Sequence, residues 1–520
     1  MESGMDVLNM DELFGVIGIC GATGNLTARV IMDNGSKVRG TDVKSREVCD
    51  YIYTLNKYDV ELYFKEHPDS FFDLLDYVIP PISLSKSSEL FKKIQKHVEK
   101  SDGINKTKII SVEDILEMFK PEKPVLFVTG TNGKTTTVTL LKHICKYSGL
   151  KPAEHNFKNL QGNAEYIPPL QARLKGDVAV LETGIMGNEG DLQFIIDRCN
   201  PSSGIITNIT PDHLAGVRNF LDYAKVKGEL VEYLQGKQLI INADDPTLMG
   251  LVESLSYHGD LITFGIDYEF THENMKTCWC GQDIKLDETI AGVGYYNCKC
   301  GIQRPEPMYL ATDIKKRSFT LKCPDKNLNI HLNILGLHNV YNAMGAIIAA
   351  REFFKISDED IVKAVKIFEG VPGRLEYVKN FQGKDIIIDY GHNPYGVQTV
   401  LQELSKIYIG KKIAAVITIA SESGSSGDVD ILERALNLVD YVIPASFYSR
   451  KAALQFDSNS KIVFTDKVPK EFRKGLLGAT PEHVVEGLKK SIETDADIVV
   501  CLGEAAFKSK DYIKSFLGQD

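Results

Sequence analysis

The stretch that most constrains this chain is Val125 to Thr137, which reads VLFVTGTNGKTTT. Its apolar start has the length of a buried parallel strand, and the two glycines that follow permit a tight turn whose amides point inward. A helix beginning near Lys134 would direct its N-terminal amides to the same point, where they stabilise an anion. The pattern therefore predicts a phosphate-binding loop, with a positive charge from Lys134 and a hydroxyl for Mg²⁺ from Thr135 or Thr136.

The spacing of this loop is unusual. Val128 stands where the common GxxxxGK[ST] pattern has its first glycine, and the chain offers Gly130 instead. The alternative is a Gly- and Thr-rich turn before an ordinary helix, with no ligand. The residues that we expect to contact a nucleotide here are Gly130, Thr131, Asn132, Gly133, Lys134, Thr135 and Thr136.

Length and composition limit the classes of protein. The chain has 520 residues, which exceeds the usual size of a domain with a single hydrophobic core, so about three domains are expected. A hydrophobic content of 43% with 25% charged residues is typical of a globular protein, and no apolar run predicts a membrane span. The net charge of -10 argues against a broad nucleic-acid surface. Acidic residues near the start, in place of the basic ones of a signal peptide, predict a cytoplasmic protein whose cysteines are mostly reduced and buried.

Strand-like and helix-like runs alternate along the chain, which predicts an α/β fold with domains at residues 1–121, 122–371 and 372–520. The first domain opens with GICGATG, in which Gly21 and Gly24 precede a helical stretch, and its second strand ends at Asp42. This order is typical of a dinucleotide-binding turn, where glycines approach a diphosphate and the acid meets a ribose or a base. A tight turn without a ligand is the alternative.

Polar side chains follow two further strands of the middle segment. The run LKGDVAVLETG delivers Glu182 to its end, and SGIITNITPDHLAG delivers Asn208, Asp212 and His213. Because the carboxyl ends of parallel strands face the ligand crevice, these groups are predicted to share one rim with the phosphate loop. For Asp212 alone, capping of a helix is the alternative.

Seven motifs, taken together, resemble the motif series of the Mur ligase family in kind and in order, over nearly the whole chain. They are GTNGKTT, LETG, NITPDH, the Asn-Ala-Asp-Asp run at 242–245, LGLHNVYNA at 335–343, GRLE at 373–376 and DYGHNP at 389–394. The resemblance implies an ATP-dependent carboxylate–amine ligase. It also implies a Rossmann-like N-terminal domain for a nucleotide-linked substrate, a central P-loop ATPase-type domain and a Rossmann-like C-terminal domain.

The resemblance implies roles for single residues. Asn339 would meet the adenine, Arg374 and Asp389 would close over the nucleotide, and His392 stands where many members have a residue facing the phosphates. The residues implied to hold Mg²⁺ are Thr135, Glu182, His213 and Lys227. Those implied to take part in catalysis are Lys134, Lys227, His213, Glu182 and His392. Those implied to bind the nucleotide-linked substrate are Gly21, Gly24 and Asp42.

Lys227 has the family's position for a lysine that carbon dioxide carbamylates, which turns a cation into a carboxylate that bridges metal ions. Lys225 is the nearby competitor for that role. The alternative is that both lysines lie on a solvated helix face.

Four cysteines form two matched Cys-x-Cys-Gly turns, at Cys278 and Cys280 in TCWCG and at Cys298 and Cys300 in NCKCG. Four thiolates suit a closed tetrahedral zinc site, and a structural Zn²⁺ would fold an insert, about residues 272–307, too small for a core of its own. The usual ribbon has two residues between cysteines, so a different metal stays open, as do four buried or redox cysteines. Several Mur-like enzymes resemble this arrangement, including the bacterial subunit that amidates lipid-linked precursors.

The insert and the N-terminal domain together are most like archaeal pseudomurein peptide ligases. This likeness implies that an amino acid is joined to a nucleotide-activated peptide through an acyl phosphate, with ATP, Mg²⁺ and structural Zn²⁺ as cofactors and no nucleic-acid partner. One alternative is a Mur-like amide ligase for another acid, such as an isoglutamate, a tetrapyrrole or a folate. Another is a zinc-ribbon ATPase switch that binds a partner or nucleic acid.

The run SESGSSGDVD at 421–430 lacks the basic residues that the family often places near the incoming amine. Asp428 or Asp430 is a candidate partner for a cationic amino acid. The alternative is a loop in which Asp430 caps a helix.

Overall fold

The computed structural model describes residues 12–100, 106–157, 165–184, 188–210, 220–269, 272–290, 292–421, 424–456, 458–470 and 478–518. The chain folds into two compact units. The first unit comprises Met1–Phe127, Gly149–Thr183 and Gln193–Ser202. The second comprises Val128–Ser148, Gly184–Leu192 and Ser203–Asp520.

The strands and helices alternate as the sequence predicts. In the first part of the chain they are β1 (Leu13–Ile17), α1 (Ala22–Asp33), β2 (Lys37–Asp42), β3 (Glu61–Phe64), β4 (Tyr77–Ile79), α2 (Glu89–Lys100), β5 (Lys108–Ile109) and α3 (Val112–Met118). In the middle part they are β6 (Val125–Thr129), α4 (Lys134–Tyr147), α5 (Ile167–Arg173), β7 (Ala179–Glu182), α6 (Asp191–Cys199), β8 (Ser203–Ile206), α7 (Phe220–Tyr233), β9 (Gln238–Asn242), α8 (Pro246–Ser254), β10 (Asp260–Ile266), β11 (His272–Thr277), β12 (Asp283–Ile290), β13 (Val293–Tyr296), β14 (Tyr309–Lys315), β15 (Ser318–Lys322), β16 (Asn327–His331), α9 (Leu337–Glu352) and α10 (Asp358–Ile367). In the last part they are β17 (Glu376–Phe381), β18 (Lys384–Asp389), α11 (Pro394–Ile407), β19 (Ile413–Ile417), α12 (Gly424–Leu438), β20 (Tyr441–Pro444), α13 (Phe447–Ala453), α14 (Pro481–Glu493), β21 (Ile498–Leu502), α15 (Glu504–Lys508) and α16 (Lys510–Phe516).

The first unit contains a five-stranded parallel sheet in the order β3-β2-β1-β4-β5. Its central strand β1 pairs Leu13 with Lys37 of β2 and Phe14 with Tyr77 of β4. Ile17, Phe71 and other buried apolar side chains pack on this sheet, so the first unit has a core of its own.

The middle part is built on an eight-stranded sheet in the order β16-β15-β14-β10-β9-β8-β6-β7. Strands β8, β9, β10 and β14 run parallel, and the β14–β15–β16 edge is antiparallel. Helix α9 is buried over nearly its whole length, and it carries apolar residues such as Ala346, Ile347 and Ile348 on all sides. This helix brings the LGLHNVYNA motif into the interior.

The cysteine-containing insert is an antiparallel sheet of its own, β11-β12-β13. Strand β11 pairs with β12 from His272↔Glu288 to Thr277↔Asp283, and β12 continues into β13 through a hairpin. A β-bulge near the end of β12 changes the register between Glu288 and Ile290.

The last part forms a five-stranded sheet in the order β17-β18-β21-β19-β20, parallel except for β17. Two local expectations differ from the structure here. The sequence of the run from Lys461 to Phe464 predicts a strand, but only the bridge Val442↔Ile462 joins this run to β20. Asp430 does not cap a helix, because it lies inside α12, where its carboxylate accepts a hydrogen bond from Arg434 one turn later (2.7 Å).

Cys20 and Cys49 form a disulfide in the first unit, so these two cysteines depart from the predicted reduced state. In the cysteine insert, Cys278 and Cys298 are buried, whereas Cys280 and Cys300 are exposed. Among the helices of the described residues, none is both long and apolar enough to cross a bilayer.

Candidate active site

The predicted phosphate loop joins the end of β6 to the start of α4, and two of its glycines are required by geometry. Gly130 and Gly133 have φ angles of 135° and 88°, in the region that favours glycine. A Cβ atom on Gly130 would lie 2.1 Å from Thr207 Oγ1, and one on Gly133 would lie 2.2 Å from Asn342 Oδ1. Residues far away in sequence therefore occupy the space beside both glycines, so the loop backbone has no room there for a side chain.

Hydrogen bonds from the end of β8 hold the backbone of this loop. The Thr131 amide donates to the Asn208 carbonyl (2.9 Å), and the Asn132 amide donates to Asn208 Oδ1 (3.1 Å). In return, Asn208 Nδ2 and Thr207 Oγ1 both donate to the Asn132 carbonyl, at 2.9 and 2.6 Å. Two neighbouring strand ends thus fix the loop before any ligand binds.

Lys134, the first residue of α4, folds back over the loop. Its ammonium donates to the carbonyls of Gly130 (2.9 Å) and Thr131 (2.8 Å). A cation at a helix N-terminus that already exposes backbone amides is the arrangement that attracts phosphate groups.

The loop lines a cavity with an empty volume of about 890 Å³, part of which is open to solvent. The lining comes from the loop, from α9, from the insert and from the residues that follow Gly373. The lining residues are Asn132, Gly133, Thr135, Thr136, Thr207, Asn208, Asn242, Phe264, Ile290, Val293, His338, Tyr341, Asn342, Arg374, Asp389, Gly391, Gly396, Thr399 and Val400.

Arg374 and Asp389 therefore reach the same cavity as the phosphate loop, although more than two hundred residues separate them in sequence from it. The guanidinium of Arg374 lies 4.7 Å from the centre of the Tyr390 ring. The Asp389 carboxylate accepts hydrogen bonds from the amides of Leu375 (2.7 Å) and Gly391 (2.6 Å), so it also shapes the local turn.

Five residues predicted to act at the nucleotide site are not among the described residues that line this cavity: Gly130, Thr131, Lys134, Asn339 and His392. Asn339 is buried, and its Oδ1 accepts a hydrogen bond from Nδ2 of Asn342, which does line the cavity (3.1 Å). The ring of His392 lies 5.1 Å from that of Tyr390. Asn339 thus contacts a residue of the cavity wall, Asn342. His392 lies beside Tyr390, the ring that Arg374 also contacts.

Lys227 is buried on α7, whereas Lys225 is exposed. The Lys227 ammonium lies 3.4 Å from Oγ1 of Thr129, the last residue of β6 before the phosphate loop. Lys225 pairs with Asp222 at 3.2 Å on the outer face of the same helix. The structure therefore brings only the first of these two candidates to the phosphate loop.

The other two predicted Mg²⁺ ligands are placed differently. Glu182 is the last residue of β7, half-buried, and belongs to the first unit. His213, with Asp212 beside it, lies outside the described residues.

The glycine turn of the first unit packs closely on itself. Gly21 precedes α1, and its amide donates to the Gly18 carbonyl (3.0 Å). A Cβ atom on Gly24 would lie 2.2 Å from the same carbonyl oxygen. The Asp42 carboxylate accepts hydrogen bonds from the amides of Cys20 and Lys44, each at 2.9 Å.

The four cysteines of the insert converge. The Sγ atoms of Cys278 and Cys300 lie 3.8 Å apart, those of Cys280 and Cys298 lie 3.6 Å apart, and all four lie within 4.8 Å of one another. Four sulfurs at about 2.3 Å from a tetrahedral ion would be about 3.8 Å apart, so the residues fit Zn²⁺.

The two cysteine turns have the same backbone geometry. In each turn the first cysteine amide donates to the carbonyl four residues later, and the glycine amide donates back to the first cysteine carbonyl. The glycines, Gly281 and Gly301, have φ angles of 84° and 100°. The Ile302 amide lowers the pKa of the Cys300 thiol to about 7, whereas burial raises the pKa of the Cys278 thiol.

His338 also lines the cavity, and burial lowers the pKa of its imidazole. This residue, Tyr341 and Asn342 were not singled out from the sequence, although all three lie within the LGLHNVYNA motif. Ile290 and Val293 lie in no recognised motif, and no local pattern marks them as cavity residues.

Comparisons with known proteins agree with these features. The model of the Mur ligase middle domain matches residues 128–350, and that of the Mur ligase glutamate ligase domain matches residues 373–503. A pseudomurein peptide ligase type C from Methanothermus fervidus is 34% identical, with a TM-score of 0.83 over 97% of this chain and 100% of that one.

Two curated relatives are more distant. A UDP-N-acetylmuramate--L-alanine ligase from Aquifex aeolicus is 24% identical over 94% of both chains. The lipid II isoglutaminyl synthase subunit MurT from Staphylococcus aureus is 26% identical over 55% of this chain and 66% of its own length. The chain therefore belongs to the Mur ligase family of ATP-dependent ligases, which form carbon–nitrogen bonds and have a three-domain α/β architecture.

Proposed function

We propose that this ligase joins an amino acid to a nucleotide-activated cell-wall peptide of the pseudomurein type. The observation that supports this most is the 34% identity, over 97% of the chain, to a pseudomurein peptide ligase. The cavity beside the phosphate loop supports the ATP half of the reaction, because its lining combines polar and apolar side chains, as a nucleotide requires.

In the proposed reaction, a carboxylate oxygen of the peptide attacks the γ-phosphorus of ATP. The bond from that phosphorus to the bridging oxygen breaks, and ADP leaves. The amine nitrogen of the amino acid then attacks the carbonyl carbon of the acyl phosphate, inorganic phosphate leaves, and the new amide nitrogen loses a proton. Lys134 would stabilise charge on the transferring phosphoryl group, and no protein nucleophile is needed.

Thr135, Glu182, His213 and carbamylated Lys227 are the proposed holders of Mg²⁺, which would neutralise the phosphate charge. Burial of Lys227 beside Thr129 supports its part in this set. A buried cation next to a site for cations is unfavourable, and carbamylation would replace it with an anion. Asn339, Arg374, Asp389 and His392 are proposed to complete the nucleotide site.

The lysine pair offers a matched test. Lys227→Ala should abolish most of the activity, and short carboxylates should restore part of it, because they replace the carbamate oxygens. Lys225→Ala, which removes an exposed lysine two residues away, should leave activity unchanged. Intact-protein mass spectrometry should show the mass of a carbamate on Lys227. Full activity of Lys227→Ala without added carboxylate would exclude the proposed role.

The first domain, with Gly21, Gly24 and Asp42, is proposed to bind the nucleotide-linked substrate. The domain bounds of 1–121, 122–371 and 372–520 are part of the same proposal.

The cysteine cluster is proposed to hold one structural Zn²⁺, because the spacing of its sulfur atoms suits that ion. Elemental analysis of the purified protein should find one zinc per chain, and none in a Cys280→Ser, Cys300→Ser variant. We also propose a cytoplasmic location and no nucleic-acid partner.

The substrate is tested by product analysis. The full chain would be incubated with ATP, Mg²⁺, a nucleotide-linked glutamyl peptide and a mixture of amino acids, and the products analysed by mass spectrometry. We expect a peptide longer by one amino acid, together with ADP. If ADP release ignores carboxylates and amines and rises with RNA or DNA instead, the proposal is wrong.

Ammonia is the competing amine, because a relative of 26% identity is an isoglutaminyl synthase subunit. The same assay with ammonium salts separates the two cases. A product that gains an amide in place of a carboxyl group, with no amino acid added, would favour amidation over peptide extension.

A further inference from the structure

We propose that the cysteine insert is a positioning element of the nucleotide pocket, through the hairpin that joins β12 to β13. The hairpin supplies Ile290 and Val293 to the cavity wall, and Glu288 ties this wall to helix α11 of the C-terminal part. The inference rests on the proposed ATP site. It gives the insert a part in nucleotide binding, in addition to its own folding.

The wall itself is apolar. Ile290 and Val293 are 5% and 4% exposed and line the cavity with Phe264 and Tyr341. The polar phosphate loop lines the same cavity. A nucleotide needs both kinds of surface, because its base has apolar faces and its phosphates require amides and cations. The hairpin is therefore placed where it can contact the part of the ligand that the phosphates do not anchor.

The tip of the hairpin is held from two sides at one residue. The Gly292 amide donates to Glu288 Oε1 at 2.6 Å, and the Gly292 carbonyl accepts from the Lys276 ammonium at 2.7 Å. The same ammonium pairs with Asp245 at 2.7 Å, and both side chains are almost fully buried. A buried pair of this kind resists separation, because removing one partner leaves an uncompensated charge.

Further contacts join the insert to the motif residues around the cavity. Tyr341, a cavity residue on α9, donates to Asp244 Oδ2 (2.7 Å) and lies 3.1 Å from the Thr289 hydroxyl of β12. Arg304, after β13, donates to Asp244 Oδ1 (2.7 Å). The Asn-Ala-Asp-Asp run is thus the base to which the insert is attached.

Glu288 extends this network to the C-terminal part. It is fully buried, and its Oε2 accepts a hydrogen bond from Gln398 Nε2 on α11 (3.3 Å). Gln398 Oε1 in turn accepts from Arg434, which also donates to Asp430. Since Thr399 and Val400, the next residues of α11, line the cavity, Glu288 links two walls of the same pocket.

The cysteine turns lie at the other end of the same three-stranded sheet. Cys278 follows β11 directly, and the second turn follows β13. A metal in the cysteine cluster would close that end and restrict the strands that carry Glu288 and Ile290. Metal occupancy and nucleotide affinity should therefore be coupled, and coupling between two ligands is reciprocal.

The first experiment compares two isoleucines of β12. Ile290→Ala removes a side chain from the cavity wall, whereas Ile284→Ala removes an equally buried one, 6% exposed, that is not among the lining residues. Titration calorimetry with MgADP on the full chain should show a Kd raised on the order of tenfold for Ile290→Ala. Ile284→Ala should bind MgADP as the wild type does. If Ile290→Ala does not fold, Val293→Ala replaces it in the same comparison.

The second experiment tests the links from the wall. Glu288→Gln keeps the size of the side chain but replaces one acceptor oxygen with an NH2 group. That group then faces a donor, either the Gly292 amide or Gln398 Nε2. We expect the KM for ATP to rise roughly fivefold with little change in kcat, as for a positioning residue. The zinc-free Cys280→Ser, Cys300→Ser variant should bind MgADP more weakly than the zinc-loaded wild type.

The outcomes distinguish an error in the proposed ATP site from an error in the proposed role of the insert. If wild-type protein does not bind MgADP at all, the proposed ATP site is wrong. If the wild type binds MgADP, and Ile290→Ala and the cysteine variant both bind it as tightly as the wild type does, only the proposed role of the insert is wrong. Weaker binding by Ile284→Ala, to the same extent as by Ile290→Ala, would also overturn it, because the effect would then come from general loss of stability.

Discussion

Two glycine-rich turns follow a buried strand in this protein, GICGATG after β1 and GTNGKTT after β6, and they are built differently. In the first turn, a Cβ atom on Gly24 would collide with the Gly18 carbonyl, and the carboxylate of Asp42 holds two backbone amides. In the second turn, the space beside Gly133 is taken by a side chain from α9, and the loop borders a cavity of about 890 Å³.

The difference shows that one glycine pattern serves two purposes. In the first turn the glycines permit close packing of strand and helix, and a disulfide from Cys20 to Cys49 fastens the turn to a neighbouring segment. In the second they also permit the approach of distant residues that complete a site. A ligand role for the first turn stays a prediction, whereas the second has a cavity beside it. Each turn therefore serves as a control for substitutions in the other.

The largest effect is expected at Lys134. Its removal in Lys134→Ala should lower kcat about 10²- to 10³-fold, because a preorganised positive charge on the transferring phosphoryl group is lost. The thermal midpoint should change much less than kcat, because hydrogen bonds with Thr207 and Asn208 also hold the backbone of the loop. Steady-state ADP release measures the first quantity and calorimetry the second. Retention of more than half the wild-type kcat would remove the second turn from the chemistry.

The next effect concerns the covalent link of the first turn. The disulfide spans 29 residues of sequence, and closing a loop of that size stabilises a fold by roughly 3 to 4 kcal/mol. Cys20→Ala, Cys49→Ala should lower the free energy of unfolding of the first unit by about this amount, measured with urea. The Kd for MgADP should not change. If the wild type unfolds identically with and without dithiothreitol, the bond does not contribute.

Exchange of glycine for alanine should separate the turns most directly. Gly24→Ala should cost about 1 to 3 kcal/mol of stability through overpacking and leave the Kd for MgADP unchanged. Gly133→Ala should raise that Kd about tenfold or more, because the left-handed φ and the contact with Asn342 both oppose a side chain. Equal effects of the two variants on the Kd would mean that the turns do not differ as proposed.

The smallest effect is a pH dependence. Burial lowers the pKa of His338 beside the second turn and of His67, which contacts Thr41 near the first. A histidine with a lowered pKa in the folded state stabilises the protein above its unfolded value of 6.5, and this stability is lost as the pH falls below that value. The charged groups that act on His338 are Glu403, Asp389, Arg374 and Lys406.

His338→Gln and His67→Gln should therefore each make stability less sensitive to acid, as measured by thermal unfolding across this pH range. Only His338→Gln should change the pH dependence of MgADP binding, because His338 lines the cavity and His67 does not. An altered binding profile in His67→Gln would contradict the distinction between the turns.

Much of the site follows from local patterns. The strand–turn–helix signal at Val125–Thr137 predicts β6 and α4 with their observed boundary at Lys134, because apolar runs, glycines and helix starts act over a few residues. The cysteine cluster follows in the same way, since two matched turns must present their thiols alike. The pairing of Cys20 with Cys49 does not, because a spacing of this kind permits many partners.

Lys225 and Lys227 show where local patterns stop. Residues two apart on a helix point to opposite sides, so at most one of these lysines faces the interior. Which one does so depends on how α7 packs, and the structure buries Lys227 beside Thr129. Without the family resemblance, the sequence has no signal for this choice.

The sequence by itself determined that this chain is an α/β ligase of the Mur family with a phosphate loop and a cysteine insert, because those features lie in short, ordered motifs. The tertiary structure alone decided that Ile290, Val293 and Asn342 share one cavity with that loop. It also decided that the Asp42 carboxylate holds a backbone turn. Both outcomes depend on packing between distant segments, which no local pattern encodes.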